Sequence, residues 1–219
     1  MIRHIFIFLL LAMSQASRAD VIFGPGGTFT SAHRSEERDV DGISVLKMRH
    51  AIGLELDTEI IIFNFLTLNI GGLYLAGSGR SQFNFQSTRV DALETSSLII
   101  AGLTGPRLRF LNLTRFKMFI GGGYLFGSHN LSYSEEDYED KMGNTTNFEP
   151  NDSASFRGHY IETGMEYVMT NASALRLMGR RLHYQTNKFR TLDDEELTMT
   201  QFQGVVQYLH YVNWDLFWK

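Results

Sequence analysis

The sequence predicts an all-β fold, an eight-stranded antiparallel up-and-down transmembrane β-barrel, and three observations carry that prediction. Character alternates residue by residue over long stretches, most plainly in Thr198–Trp218. There Phe202, Gly204, Val206, Tyr208, His210, Val212, Trp214, Leu216 and Trp218 share one face, and Gln201, Gln203, Val205, Gln207, Leu209, Tyr211, Asn213 and Asp215 the other. Period two marks a strand, and aromatics backed by amides suit a wall between lipid and a polar lumen. Eight such stretches recur, joined by connections that are alternately long and short, as in an outer-membrane barrel. Finally, residues 1–19 read as a secretory signal peptide: Arg3 and His4 precede the apolar run Ile5–Met13, and Ser17 and Ala19 place small residues before a cut ahead of Asp20.

That apolar run falls well short of the roughly 20 residues a spanning helix needs. Beyond it, the longest uninterrupted aliphatic and aromatic run is only Ile60–Phe63, so a membrane-embedded form has to be a closed barrel. Residues 20–219 are accordingly expected to form one barrel domain, and 43% hydrophobic with 20% charged residues is ample for a core. Cysteine is absent, which excludes disulfide staples, thiol catalysis and thiolate metal ligands. A net charge of −4 without any lysine and arginine block gives no reason to expect a nucleic-acid partner.

In chain order, Ile22–Ala32 is a glycine-rich first strand, and the charged stretch Arg34–Asp41 is a loop. The second strand sets Leu46, Met48, His50, Ile52, Leu54 and Leu56 against Lys47, Arg49, Ala51, Gly53, Glu55 and Asp57, with Thr58 and Glu59 as the turn after it. In the third, Leu66, Leu68, Ile70 and Tyr74 point outward and Thr67, Asn69 and Gly71 inward; the polar stretch Ser78–Thr95 reads as a loop. The fourth, Ser97–Leu111, turns Arg107 and Arg109 away from Leu108 and Phe110. Pro106 predicts a bulge there, because a closed barrel has no edge to host a proline. The fifth strand sets Phe116, Met118, Ile120, Tyr124 and Phe126 against Lys117, Phe119, Gly121, Gly123 and Leu125. Gly121–Gly123 precede no helix and no lysine-hydroxyl pair, so they read as space-makers in a narrow barrel and not as a phosphate loop. An acidic loop, Ser134–Ser153, leads to the sixth strand, Phe156–Met169; the turn Thr170–Ala172 leads to the seventh, Ala174–Gln185; and the charged loop Asn187–Leu197 leads to the last strand. The acidic loop lacks the spacing of a calcium loop and reads as a solvated surface.

Eight strands enclose a lumen that side chains fill or that holds one small ligand. Its inward faces collect Lys47, Arg49, Glu55, Asp57, Arg107, Arg109, Lys117, Glu162, Glu166, Arg176, Arg180 and Asp215, a mixture of signs that reads as a paired plug. Pairing the sixth and seventh strands about Asn171 sets Glu166 against Arg176 and Glu162 against Arg180, with Gly164 and Met178 between. The same register sets His159 opposite His183 on the lipid side. These two, with His129 and Ser132, are the rim residues from which hydrolytic chemistry would have to be built, although no short spacing ties a serine, a histidine and a carboxylate to one face. Tyr208, Trp214 and Trp218 are placed at the interface as an aromatic girdle.

The signal peptide, the eight amphipathic strands and the aromatic closing strand resemble the small eight-stranded bacterial outer-membrane proteins of the OmpA-transmembrane-domain, OmpX and OmpW type. The resemblance spans about Asp20–Lys219 and departs where Lys219 follows the aromatic Trp218. It implies a monomer in the outer membrane with long loops outside and both termini periplasmic. It also implies contact with membrane lipid and lipopolysaccharide, and handling by the barrel-assembly machinery through the C-terminal strand. The expected role is structural, adhesive or otherwise surface-interacting, without enzymatic activity or cofactor. A narrow channel for small solutes and a lipid A-modifying acyl hydrolase or transferase are the alternatives.

Overall fold

In the computed structural model the chain forms one antiparallel wall in which each strand pairs with the next and the last returns to the first. The structure describes residues 21–30, 33–36, 45–63, 65–85, 88–134, 151–187, 189 and 196–212; the side chains of 33–36, 45–47, 49, 81–93 and 112 lie outside that description. Strand β1 runs Val21–Thr30 and resumes as His33–Glu36; both segments lie between the same two neighbours and fill one position in the wall. Then come β2 (Val45–Phe63), β3 (Leu66–Phe85), β4 (Thr88–Asn112), β5 (Phe116–Tyr133), β6 (Asn151–Thr170), β7 (Ser173–Thr186) and β8 (Thr198–Val212). Eight positions thus close an up-and-down barrel, and closure leaves no edge unpaired. The connections that follow Phe63, Asn112 and Thr170 share one end with Val21 and Val212, called here the turn end; the opposite one is the loop end.

Alternation decides which side chains enter. Outside, Ile52, Leu54 and Leu56 of β2 are 70%, 70% and 55% exposed, and Tyr124 of β5 is 76% exposed. Inside, arginines and carboxylates are almost wholly covered. The barrel is therefore the reverse of a water-soluble sheet, apolar outward and charged inward. On the outer wall near the turn end, Phe116 and Tyr167 meet edge to face, with ring centroids 5.9 Å apart, and Tyr208 stands opposite Leu175. Trp214 and Trp218 lie outside the described residues.

Strand also runs into two stretches read as loops, as far as Glu36 in Arg34–Asp41 and from Asn151 in Ser134–Ser153, and four further expectations from the sequence need correction. Thr58 and Glu59 are not a turn: β2 continues to Phe63, and Glu59 follows Glu55 and Asp57 onto the inner face. Ser78–Thr95 is largely strand, because β3 and β4 stay paired up to Phe85 and Thr88; a paired ribbon beyond an apolar belt needs no apolar face, so its polar composition misled. Pro106 makes no bulge. The register is the same on both sides of it, Thr104 opposite Tyr124 and Arg107 opposite Gly121, and the shift falls between Arg109 and Leu111 instead. Glycines let the chains approach there: a Cβ on Gly105 would run into the carbonyl of Gly122, so Pro106 sits outward in an undistorted wall. Last, a register shift between Met48 and His50 turns Met48 inward, 2% exposed, whereas the alternation puts it outside.

The interior has two storeys. Toward the loop end Met48, Leu73, Leu75, Ile99, Leu103, Leu125, Phe156, Tyr184 and Met199 form an apolar core. Toward the turn end lies a layer of charge.

Candidate functional site

The charged layer is built by position and period. On β2, Glu55, Asp57 and Glu59 occupy alternate positions; on β4, Arg107 and Arg109; on β6, Glu162 and Glu166; on β7, Arg176 and Arg180; and Gln207 closes the ring from β8. Each of these side chains is at most 8% exposed. The hairpin of β6 and β7 pairs about Asn171, which brings Glu166 opposite Arg176, Glu162 opposite Arg180 and Gly164 opposite Met178.

Arg107 is at the centre. Its Nη2 reaches Asp57 at 2.9 Å, while its Nη1 and Nε donate to Glu59 and Glu162. Arg180 spans the lumen, donating from Nη2 to Glu55 at 2.6 Å and from Nε to Glu162 at 2.9 Å. Arg176 holds Glu166 at 2.6 Å and also bonds Glu59, and Arg109 lies 3.2 Å from Glu59 and 3.3 Å from Glu166. Gln207 accepts from Arg176 at 3.1 Å and donates to Asp57 at 3.0 Å. Four arginines thus face five carboxylates, and half-buried Lys117 stands beside them over the Tyr211 ring at 5.3 Å.

Aromatic faces complete the enclosure. The guanidinium groups of Arg107 and Arg176 lie 5.5 Å and 5.0 Å from the Phe119 ring centre, and that of Arg180 lies 5.4 Å from Tyr160. Burying a charge costs several kcal/mol unless it is paired and hydrogen-bonded, and here every arginine has at least two carboxylate neighbours. Chemically, the arrangement neutralises its members, which face one another and pair across the lumen.

Of the residues singled out from sequence, Glu55, Asp57, Arg107, Arg109, Glu162, Glu166, Arg176 and Arg180 meet in this layer, and Lys117 borders it. Lys47 and Arg49 have side chains outside the described residues, as does Asp215. Glu59, Gln207 and Phe119 do as much as any of them. Glu59 was legible as the third acid at spacing two, and the turn reading of Thr58–Glu59 hid it. The rim residues separate: Ser132 is exposed and bonds Asn151 at 2.7 Å, whereas His159 and His183 face outward with ring centroids 5.0 Å apart. His129 is not at the outer rim. It points inward, fully buried, with Nε2 2.7 Å from Ser97 Oγ and the rings of Tyr184 and Phe189 edge-on to it.

An inside-out, eight-position antiparallel barrel is the architecture of the small bacterial outer-membrane proteins, and this chain has that fold. Among solved structures it is similar to the outer membrane protein OprG from Pseudomonas aeruginosa, with 8% identity over 89% of this chain and 96% of that one, at a TM-score of 0.53. The outer membrane protease OmpT from Escherichia coli aligns with 10% identity over 90% and 97% of the two chains, TM-score 0.48. Ail of Yersinia pestis aligns with 12% identity over 87% and 98%, TM-score 0.43. No protein-family model and no curated protein sequence matches the chain.

Proposed function

We infer that the protein is an outer-membrane barrel that is closed through its lumen and works at its outer surface, in a structural or surface-interaction role. The charged layer is the observation that carries this reading. Ion-conducting lumens leave charges facing water, whereas here Arg107, Arg176, Glu59 and Glu166 are each at most 1% exposed. The apolar outer wall supports a place in lipid, since side chains such as Ile52, Leu54 and Tyr124 would otherwise form a costly apolar surface in water. In this reading the loop end faces outward and the termini face the periplasm.

Planar-bilayer recording of the purified, refolded protein is the test of closure: no discrete conductance steps are expected, and reproducible steps at neutral pH would overturn it. Location is tested separately by membrane fractionation and by a heat-dependent shift in gel mobility; recovery in the soluble periplasmic fraction would overturn that part. The Ser97–His129 contact favours acyl hydrolysis as the second reading. Its enclosure argues against it, because His129 is fully buried and Ser97 only 6% exposed. Lipid A from cells with and without the gene should give the same mass spectrum, and a loss of acyl chains that Ser97→Ala abolishes would make the protein an enzyme.

A further inference from the structure

Along β6 and β7 the outer wall changes character abruptly. From the turn end it presents Met165 and Ile161 on β6 and Leu175 and Leu177 on β7; beyond them come Arg157 and His159 on one strand and Arg181 and His183 on the other. His159 stands opposite His183, Arg157 opposite Gln185 and Arg181 opposite Ile161. The two arginines therefore occupy diagonal corners of the patch, their Cα atoms about 14 Å apart by ordinary strand rise and spacing. Thr200 lies 3.0 Å from His183 Nδ1 and fixes that ring.

Exposed aromatic rings flank the cations. Tyr124 and Phe126 of β5 stand opposite His159 and Arg157, and the Arg181 guanidinium lies 5.8 Å over the Phe202 ring of β8. Among the described residues neither Arg157 nor Arg181 has a carboxylate partner; Glu196, on the same side, accepts from Gln185 at 2.7 Å instead. On β4 and β5 the outward positions near the loop end include Glu94, Ser96, Ser128, Asn130 and Ser132, and the exposed Arg80 of β3 stands opposite Glu94, so among the described residues the two outward arginines with no acid opposite them belong to this sector of the wall.

We propose that this patch binds the phosphorylated headgroup of lipid A, its arginines and histidines taking the phosphates and its rings lying along the first part of the acyl chains. Charge complementarity and position carry the assignment. Unpaired guanidiniums at the rim of an apolar belt meet phosphate bidentately, and a two-phosphate headgroup suits cations at two corners better than a single charge would. The proposal rests on the membrane reading above, but its test does not.

Full-length protein in detergent is titrated with bisphosphorylated lipid A and followed by native mass spectrometry, with dephosphorylated lipid A of the same acyl chains and phosphatidylglycerol as comparisons. Wild-type protein should prefer the bisphosphorylated form. The double variant Arg157→Ala with Arg181→Ala should lose at least about tenfold in affinity, the scale of one or two charge-assisted contacts. Arg115→Ala, an exposed cation at the turn end, should bind as wild type; all three proteins should keep the heat-dependent gel shift of a folded barrel. Equal binding of phosphorylated and dephosphorylated lipid A, equal binding of phosphatidylglycerol, or an unaffected double variant would each overturn the proposal. Protein found outside the outer membrane in cells would defeat the location reading while leaving these affinities to stand or fall by themselves.

Discussion

Arg176 and Glu166 are held so completely that truncating one harms the other. Removing the guanidinium leaves Glu166 buried with only the 3.3 Å contact from Arg109, and stranding a buried charge costs roughly 3–5 kcal/mol. Arg176→Ala is therefore expected to destabilise the barrel more than Arg176→Ala combined with Glu166→Ala, measured by urea unfolding in lipid vesicles. Additive free energies around that double-mutant cycle would mean that the two do not interact. Gly121 supplies a second prediction at this scale. A Cβ there would meet Arg107 Cγ and Glu162 Oε1, both at 2.8 Å, so the layer occupies the space a side chain would need. Gly121→Ala should cost about 1–3 kcal/mol by overpacking, in the same assay. Gly72, where a Cβ meets nothing within 4 Å, should accept alanine almost silently.

Individual strands were legible where one face is polar and the other apolar. β8 reads off its sequence, with Gln201, Gln203 and Gln207 inward and Phe202, Val206 and Tyr208 outward, and the β6–β7 register follows from placing one turn at Asn171. Legibility failed where that contrast fades. Leu98, Ile99 and Ile100 are apolar on both faces, because the inner wall toward the loop end is itself an apolar core, and nothing local announces which storey a residue occupies. The polar ends of β3 and β4 failed for the opposite reason, since the backbone ladder continues there through a polar stretch of sequence. The ladder also sets the limits of a deletion. Ser132 and Asn151 are cross-strand partners, so the chain leaves and re-enters the wall at one place. Replacing residues 135–150 with a short turn should leave the heat-dependent gel shift intact, because shortening a loop changes closure entropy little. A deletion that continues through Asp152 removes paired strand and should weaken the barrel.

For the whole molecule, polarity is inverted and the charges inside nearly cancel, so salt should act weakly. Screening reaches exposed pairs far more than enclosed ones. Raising ionic strength from low to about 1 M is expected to leave the unfolding midpoint of the wild type in vesicles nearly unchanged; a marked fall would place water among the arginines.

The reach of those arginines also governs how the chain assembles. Arg180 bonds Glu55 across 125 residues of sequence, and Gln207 bonds Asp57 across 150. No neighbouring pair of strands satisfies the layer, so a half-inserted wall carries buried charge with nowhere to place it. Closure is consequently rewarded late and all at once. Contacts this distant make folding slow, yet they also penalise every ring that closes with a strand missing or slipped by one. Time-resolved gel-shift refolding should thus show folded and unfolded bands with no long-lived partial form, and variants that shrink the layer should accumulate one.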